Sequence, residues 1–224
     1  MSESSNLMSR RALMLYSAGI GLSAMATAPF ITAALAQRRG PSEVPVEELM
    51  KPGPLPDLVL GNPDAKITIV EYASMTCPHC ANFNNRVLPE LKKKYIDTGQ
   101  ARLVFREFPL DDLAAAGSML ARCAGDKALP MVDVLFEKQD EWVTRNDPVS
   151  KLFEIAKQAG FTKESFEKCL GDDKLLADIE ATRRRANEQF GVNSTPTFFI
   201  NGKRLSGGNS ISDFDKAIEP LLKS

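Results

Sequence analysis

Hydrophobic positions along this chain follow two rhythms, and the rhythm changes twice. "DLVLG" (57–61) and "KITIVEYAS" (66–74) read as strands. The second is an almost continuous apolar run, as expected of a strand buried on both faces, with Glu71 the one charge inside it. "ANFNNRVLPELKKKYID" (81–97) then sets Phe83, Val87 or Leu88, and Leu91 at helical spacing, and Pro89 is expected to kink or break that helix. "ARLVFREFPL" (101–110) returns to a strand pattern.

From 111 to 190 the chain shows no convincing strand and predicts four or five helices. The first aligns Leu113, Ala116, Leu120 and Cys123 on one face, and the next carries Leu135, Lys138 and Trp142 at similar spacing. A third opens with Asp147 as N-cap and Pro148 at the first helical position, and closes at Gly160. In the fourth, Thr162 caps while Phe161 and Phe166 form a hydrophobic staple. The fifth lines up Leu175, Ile179, Ala186 and Phe190 before Gly191. Strand character then returns with "TPTFFI" (195–200), the Asn201-Gly202 hairpin signal and "KRLSG" (203–207). A last helix carries Phe214, Ile218 and Leu221. The pattern predicts an α/β domain (57–110 and 191–224) interrupted by an all-helical insertion (111–190).

The N-terminal segments stand apart. Residues 37–56, rich in proline and glycine, read as an extended leader. Residues 1–36 carry Arg10 and Arg11, then a moderately apolar stretch, then Ala34-Leu35-Ala36; this describes a secretory signal peptide cleaved after Ala36. The alternative, a retained membrane anchor, is a poor span because the stretch is rich in small and hydroxylated residues and contains Pro29. "SRRALM" also resembles a twin-arginine export signal, with Leu13 where that pattern usually has Phe.

Composition narrows the classes. Of 224 residues, 43% are hydrophobic and 25% charged, which is ordinary for a globular protein, and the formal net charge of −1 gives no basic field that would point to nucleic acid. All four cysteines (77, 80, 123 and 169) lie beyond the signal segment. An even number in an exported protein favours disulfides, because the bacterial periplasm is oxidising.

The chemistry concentrates in "TCPHC" (76–80), which holds the only histidine of the chain. A Cys-x-x-Cys pair between a strand and a helix places its first thiol where the helix presents unpaired N–H groups and a partial positive charge, stabilising the thiolate. Pro78 suits the first helical turn, since its missing N–H would have no partner there. His79 can add a hydrogen bond or a positive charge near the sulfur. A stabilised thiolate favours the dithiol, which makes the Cys77–Cys80 disulfide a stronger oxidant. A closed zinc site needs four ligands, and the chain offers neither a second Cys-x-x-Cys nor a second histidine. A purely structural Cys77–Cys80 bond would stabilise little, because the loop it closes is so short. A Ser-His-Asp arrangement has no further imidazole to use. Cys123 and Cys169 sit on apolar helix stripes, where they read either as buried free thiols or as a disulfide stapling two helices. The oxidising compartment favours the staple, and neither reading gives them a part in catalysis.

Two stretches, "VEYASMTCPHC" and "GVNSTPTFFING", resemble the DsbA-like thiol-disulfide oxidoreductases of the thioredoxin superfamily, a likeness extending over residues 57–224. The resemblance implies a thioredoxin-like fold with a helical insertion. It also implies Cys77 as the exposed attacking cysteine and Cys80 as the resolving one. Pro196 matches a cis proline opposite the active-site pair, and Thr195 the residue whose backbone pairs with the substrate chain. Glu71 matches a buried acid beneath the disulfide that assists proton movement; by itself it reads equally as a half-exposed strand charge. The implied substrates are reduced exported proteins, the implied reoxidant is a membrane quinone-linked DsbB-like protein, and no flavin, metal or nucleotide cofactor is called for. Threonine before the proline is commoner in isomerase and reductase relatives than in the oxidase. Residues 37–56 are, however, too short for the dimerisation domain of those isomerases, and Pro-His at the centre of the motif matches the oxidase. The expectation is a monomeric periplasmic disulfide donor. The alternatives are an isomerase or reductase, or a periplasmic protein that binds metal or clients without turnover.

Overall fold

The computed structural model describes residues 40–223. The signal-peptide and twin-arginine expectations fall on residues 1–36, outside the described part. The leader is less extended than its prolines suggest. Val46–Leu49 forms one helical turn, α1, and Glu43 makes an isolated bridge with Lys203. The Arg185 guanidinium donates to the Glu48, Lys51 and Pro52 carbonyls, so the proline-rich stretch is bound to the body through its own backbone.

Among the described residues, five strands form one mixed sheet: β1 Leu58–Gly61, β2 Ile67–Ala73, β3 Ala101–Glu107, β4 Thr197–Ile200 and β5 Lys203–Arg204, in the spatial order β1-β3-β2-β4-β5. β2 runs parallel to β3, and the remaining pairs are antiparallel. Central β2 is buried at every position, which explains its unbroken apolar run. Its period-two alternation splits the core. Ile67 and Ile69 face one layer with Phe83, Leu91, Phe198 and Phe214; Val70 and Tyr72 face the other with Val104, Phe190 and Phe199. The hairpin joining β4 to β5 has Asn201 at φ 45° and Gly202 at φ 84°, both positive as a tight two-residue turn requires. A Cβ at Gly202 would sit 2.2 Å from the Val44 carbonyl oxygen, so glycine is needed for space as well as for twist. The second hairpin strand is only two residues long, shorter than "KRLSG" suggested.

The helix after the cysteines, α2, spans residues 78–96. It alternates α-helical segments (Pro78–Asn82, Leu88–Leu91) with π-helical turns (Phe83–Val87, Lys92–Ile96). The break expected at Pro89 does not occur. Pro89 falls in the first turn of the second α segment, just after a π turn, where its missing N–H is accommodated. Phe83, Phe198 and Phe214 stack mutually at centroid distances of 4.6–5.5 Å, clamping α2, β4 and the C-terminal helix α9 (Ile211–Lys223) together.

The insertion contains α3 Asp112–Cys123, α4 Ala128–Glu137, the one-turn α5 Gln139–Trp142, α6 Pro148–Gln158, α7 Lys163–Leu170 and α8 Asp173–Phe190. That is one helix more than expected among the described residues, because the segment read as continuous through Leu135, Lys138 and Trp142 breaks at Lys138 (φ −98°, ψ 18°). The stripe on α3 is wider than Leu113, Ala116, Leu120 and Cys123 implied. Ala114, Ala115, Gly117, Ser118, Met119, Leu120 and Ala121 are all buried, because α3 contacts α4, α6, α7 and α8. Three caps form as read: Asp147 accepts from the Ser150 N–H, Thr162 from the Ser165 N–H, and Gly191 at φ 64° closes α8. The insertion is anchored to the sheet by a buried Arg122–Glu107 ion pair and by a core that runs from Met75, Cys77 and Cys80 into Leu120, Leu135 and Trp142.

Candidate active site

β2 ends at Ala73, and three loop residues lead to Cys77, which caps α2 in an extended conformation (φ −81°, ψ 119°) with Pro78 as the first helical residue. The loop is fixed at several points. The Cys77 N–H donates to the Ser74 carbonyl at 3.1 Å, and the Leu110 N–H reaches Ser74 Oγ at 3.3 Å. Thr76 Oγ1 donates to Asp111 Oδ2 at 2.7 Å, while the other oxygen of Asp111 caps α3. From α5, the Gln139 side-chain amide donates to the Met75 and Cys77 carbonyls.

Both thiols are unbonded in this structure, and their environments differ. Cys77 retains 7% exposure and Cys80 none, so the expectation of an exposed attacking cysteine is corrected: Cys77 is only the less buried of the two, because loop and insertion close around it. Its pKa falls from 9.0 to about 5. The chief cause is hydrogen bonding from the Cys80 side chain; Thr195 and the Cys80 and His79 backbone N–H groups add to it, against the opposing effect of burial. Cys80 moves the opposite way. Burial, the hydrogen bond it gives Cys77 and the nearby Glu71 keep it a thiol. Pro78 and His79 are both exposed. The help expected from His79 comes through its backbone, as one of the N–H groups facing the sulfur.

Glu71 is 3% exposed and not half-exposed, because β2 is central and position 71 points to the same side as Ile67 and Ile69, under α2. Its Oε1 has no hydrogen-bond partner, and its pKa rises from 4.5 to about 8, through burial first and the Cys77 charge second. The chain returns to the site at Thr195-Pro196, a cis peptide just ahead of β4. Cys77 Sγ lies 3.3 Å from the Thr195 carbonyl oxygen. The Thr195 hydroxyl is buried and unpartnered around the neutral thiol, and it acts as a stabilising group when Cys77 ionises. The other cysteines are bonded to each other within the insertion, Cys123 ending α3 and Cys169 near the end of α7. Among the described residues, no group of three or more His, Cys, Asp and Glu side chains gathers into a potential metal site.

Asp111 and Gln139 were missed from the sequence. Gln139 stands four residues after Leu135 and three before Trp142, a position on the buried stripe as good as that given to Lys138; a polar residue there was the available signal.

A low-pKa thiol capping a helix, a buried partner thiol three residues on and a cis proline opposite define a thiol–disulfide exchange centre in a thioredoxin-like fold. The thioredoxin family model matches residues 55–220, and the chain belongs to the DsbA-like members of that family. It is 32% identical to alpha-DsbA1 of Wolbachia pipientis, with a TM-score of 0.72, covering 80% of this chain and 96% of that one. A Rickettsia bellii protein, provisionally named a protein-disulfide oxidoreductase, is 42% identical over 168 residues, 73% of this chain and 65% of the relative. Disulfide bond formation protein D of Bacillus subtilis is 29% identical over 178 residues, 74% of this chain and 77% of that protein. The chain spans 60% to 65% of the length of its Rickettsia relatives.

Proposed function

We propose that this chain is a protein disulfide oxidoreductase that donates its Cys77–Cys80 disulfide to reduced, exported proteins. The observation that carries this reading is the opposition between the two thiols: Cys77 held down near pKa 5, Cys80 held up by burial. A substrate thiolate attacks Cys77 Sγ of the oxidised centre, the Cys77–Cys80 bond breaks, and Cys80 leaves with the electron pair and takes up a proton. A second substrate thiolate attacks the sulfur bonded to Cys77, forming the substrate disulfide and releasing Cys77 as its stabilised thiolate. Two electrons pass from substrate to the cysteine pair. Glu71, neutral at moderate pH, lies where it can hold or supply a proton as Cys80 changes state.

The extended partner chain runs beside Thr195 and cis-Pro196, next to Cys77. The setting is the periplasm, reached through the signal peptide of residues 1–36; regeneration falls to a quinone-linked DsbB-like membrane protein, and the working form is a monomer. No described helix is long and apolar enough to cross a membrane.

Oxidative refolding of a reduced, multi-cysteine protein is the test. The oxidised protein should accelerate disulfide formation, Cys77→Ser should return the rate to the uncatalysed one, and thiolate absorbance should place the Cys77 pKa well below 9.0. An ordinary thiol at position 77, or a reduction potential as low as that of thioredoxin (about −270 mV), would overturn the donor assignment; the low potential would indicate a reductase.

A further inference from the structure

We infer that Gln139, contributed by the helical insertion, is a positioning residue that holds the Cys77 backbone in the one arrangement that stabilises its thiolate. Its side chain is buried, with the residue 6% exposed. Nε2 donates at 2.8 Å to the Met75 carbonyl and at 3.1 Å to the Cys77 carbonyl. A primary amide nitrogen has two hydrogens, and both are used here on carbonyls that flank a single residue, Thr76. One nitrogen therefore fixes the curl of the loop from both sides.

The Cys77 carbonyl is also the first acceptor of α2, receiving the Cys80 and Ala81 N–H groups at 3.1 Å each. The same peptide thus starts the helix, carries the reactive sulfur's residue and docks onto the insertion. The groups that lower the Cys77 pKa act over hydrogen-bond distances, so they depend on where the loop places Sγ. Thr76–Asp111 is a second tie between loop and insertion, but it is exposed and holds a side chain, whereas Gln139 holds the backbone in a dry setting.

The element carrying Gln139 is itself well fixed. Trp142, fully buried, donates from Nε1 to the Leu135 carbonyl at 2.8 Å, and it packs with Met75 around Gly117, where an added Cβ would meet both side chains. The break at Lys138 turns α5 so that Gln139 points at the loop. On this reading the insertion is more than a cover. It is part of the device that sets the redox strength of the thioredoxin-like domain.

The inference rests on the proposal that Cys77 is the attacking, low-pKa cysteine, and the experiment separates the two. Wild type, Gln139→Met and Ile179→Ala are compared for Cys77 pKa, reduction potential and unfolding midpoint. Gln139→Met keeps the length and removes both donors. It should weaken thiolate stabilisation about tenfold, the scale of one well-placed hydrogen bond, which is about 30 mV toward a weaker oxidant. Ile179→Ala loosens the insertion in the cluster around Met119 and Cys169, away from the tether, so it should lower the unfolding midpoint and leave the Cys77 pKa where it was. Should Gln139→Met not fold, Gln139→Asn, whose shorter amide reaches one carbonyl at most, should give a smaller shift in the same direction. An unchanged Cys77 pKa in a folded Gln139 variant, or an equal shift in Ile179→Ala, overturns the inference. An ordinary Cys77 pKa in wild type overturns the functional proposal itself.

Discussion

Two cysteine pairs in this chain sit at opposite ends of helices, and the chemistry divides accordingly. Cys77 caps the N-terminus of α2, facing backbone N–H groups and the positive end of the helix dipole. Cys123 is the last residue of α3 and Cys169 the penultimate residue of α7, where unpaired carbonyls gather and a thiolate would be disfavoured. A disulfide whose reduction yields a stabilised thiolate is readily given up; one whose reduction yields two destabilised thiolates is kept. Loop length works the same way. Closing 46 residues restricts the unfolded chain considerably, while closing three barely does so. The lesson is that backbone direction at the sulfur, more than the count of cysteines, separates the donor bond from the staple.

The largest expected effect tests that division directly. Cys80→Ser should abolish turnover and leave Cys77 trapped on substrate as a mixed disulfide, detectable by mass, while the double change Cys123→Ser and Cys169→Ser should leave the exchange rate nearly unchanged. Loss of turnover in a folded Cys123/Cys169 variant would join the two regions into one redox system and break the comparison. The next effect is on stability. Removing the staple should lower the unfolding free energy by about 4 kcal/mol in the loop-entropy account, read from the denaturant midpoint. Mass spectrometry of alkylated, unreduced protein should find Cys123 bonded to Cys169, and two free thiols there would refute the staple.

Legibility followed the range of the interactions. The strands, the caps and the hairpin at Asn201-Gly202 could be read because each is decided by neighbours in sequence or by a simple burial rhythm. Cys77-Pro78-His79-Cys80 was legible for the same reason: strand, cap and helix start are contiguous. The burial of Glu71 was implied by the resemblance but not decided by the residue itself, since its strand's central place depends on β3 and β4, more than 30 and 120 residues away. The resemblance supplied what residues alone left open, including the proline at 196 opposite the cysteines. Gln139 and Asp111 escaped both routes, because each acts on a loop that is close only in space, and the turn that aims Gln139 arises from a helix break at Lys138 that periodicity ran straight through.

The smallest effect comes from setting Glu71 against Cys77 within the redox site itself. In the reduced protein the Cys77 pKa drops from 9.0 in the unfolded chain to about 5. Its contribution is therefore fully present above pH 9 and is lost as pH falls toward 5, giving a stability that rises by about 1 kcal/mol per pH unit between them. Glu71 has its pKa raised from 4.5 to about 8, so the folded state keeps a proton that the unfolded chain releases, and stability falls by a similar slope over that range. Between pH 5 and 8 the two slopes oppose, and reduced wild type should show a nearly flat dependence of its denaturant midpoint on pH. Glu71→Gln removes the falling slope and exposes the rising one, so the reduced variant should gain stability steadily from pH 5 to 8. The oxidised variant has no Cys77 titration and should not. A reduced Glu71→Gln protein whose midpoint stays flat would mean that the position 77 thiol does not ionise in this window, and the contrast between the helix-start cysteine and the helix-end cysteines would lose its electrostatic basis.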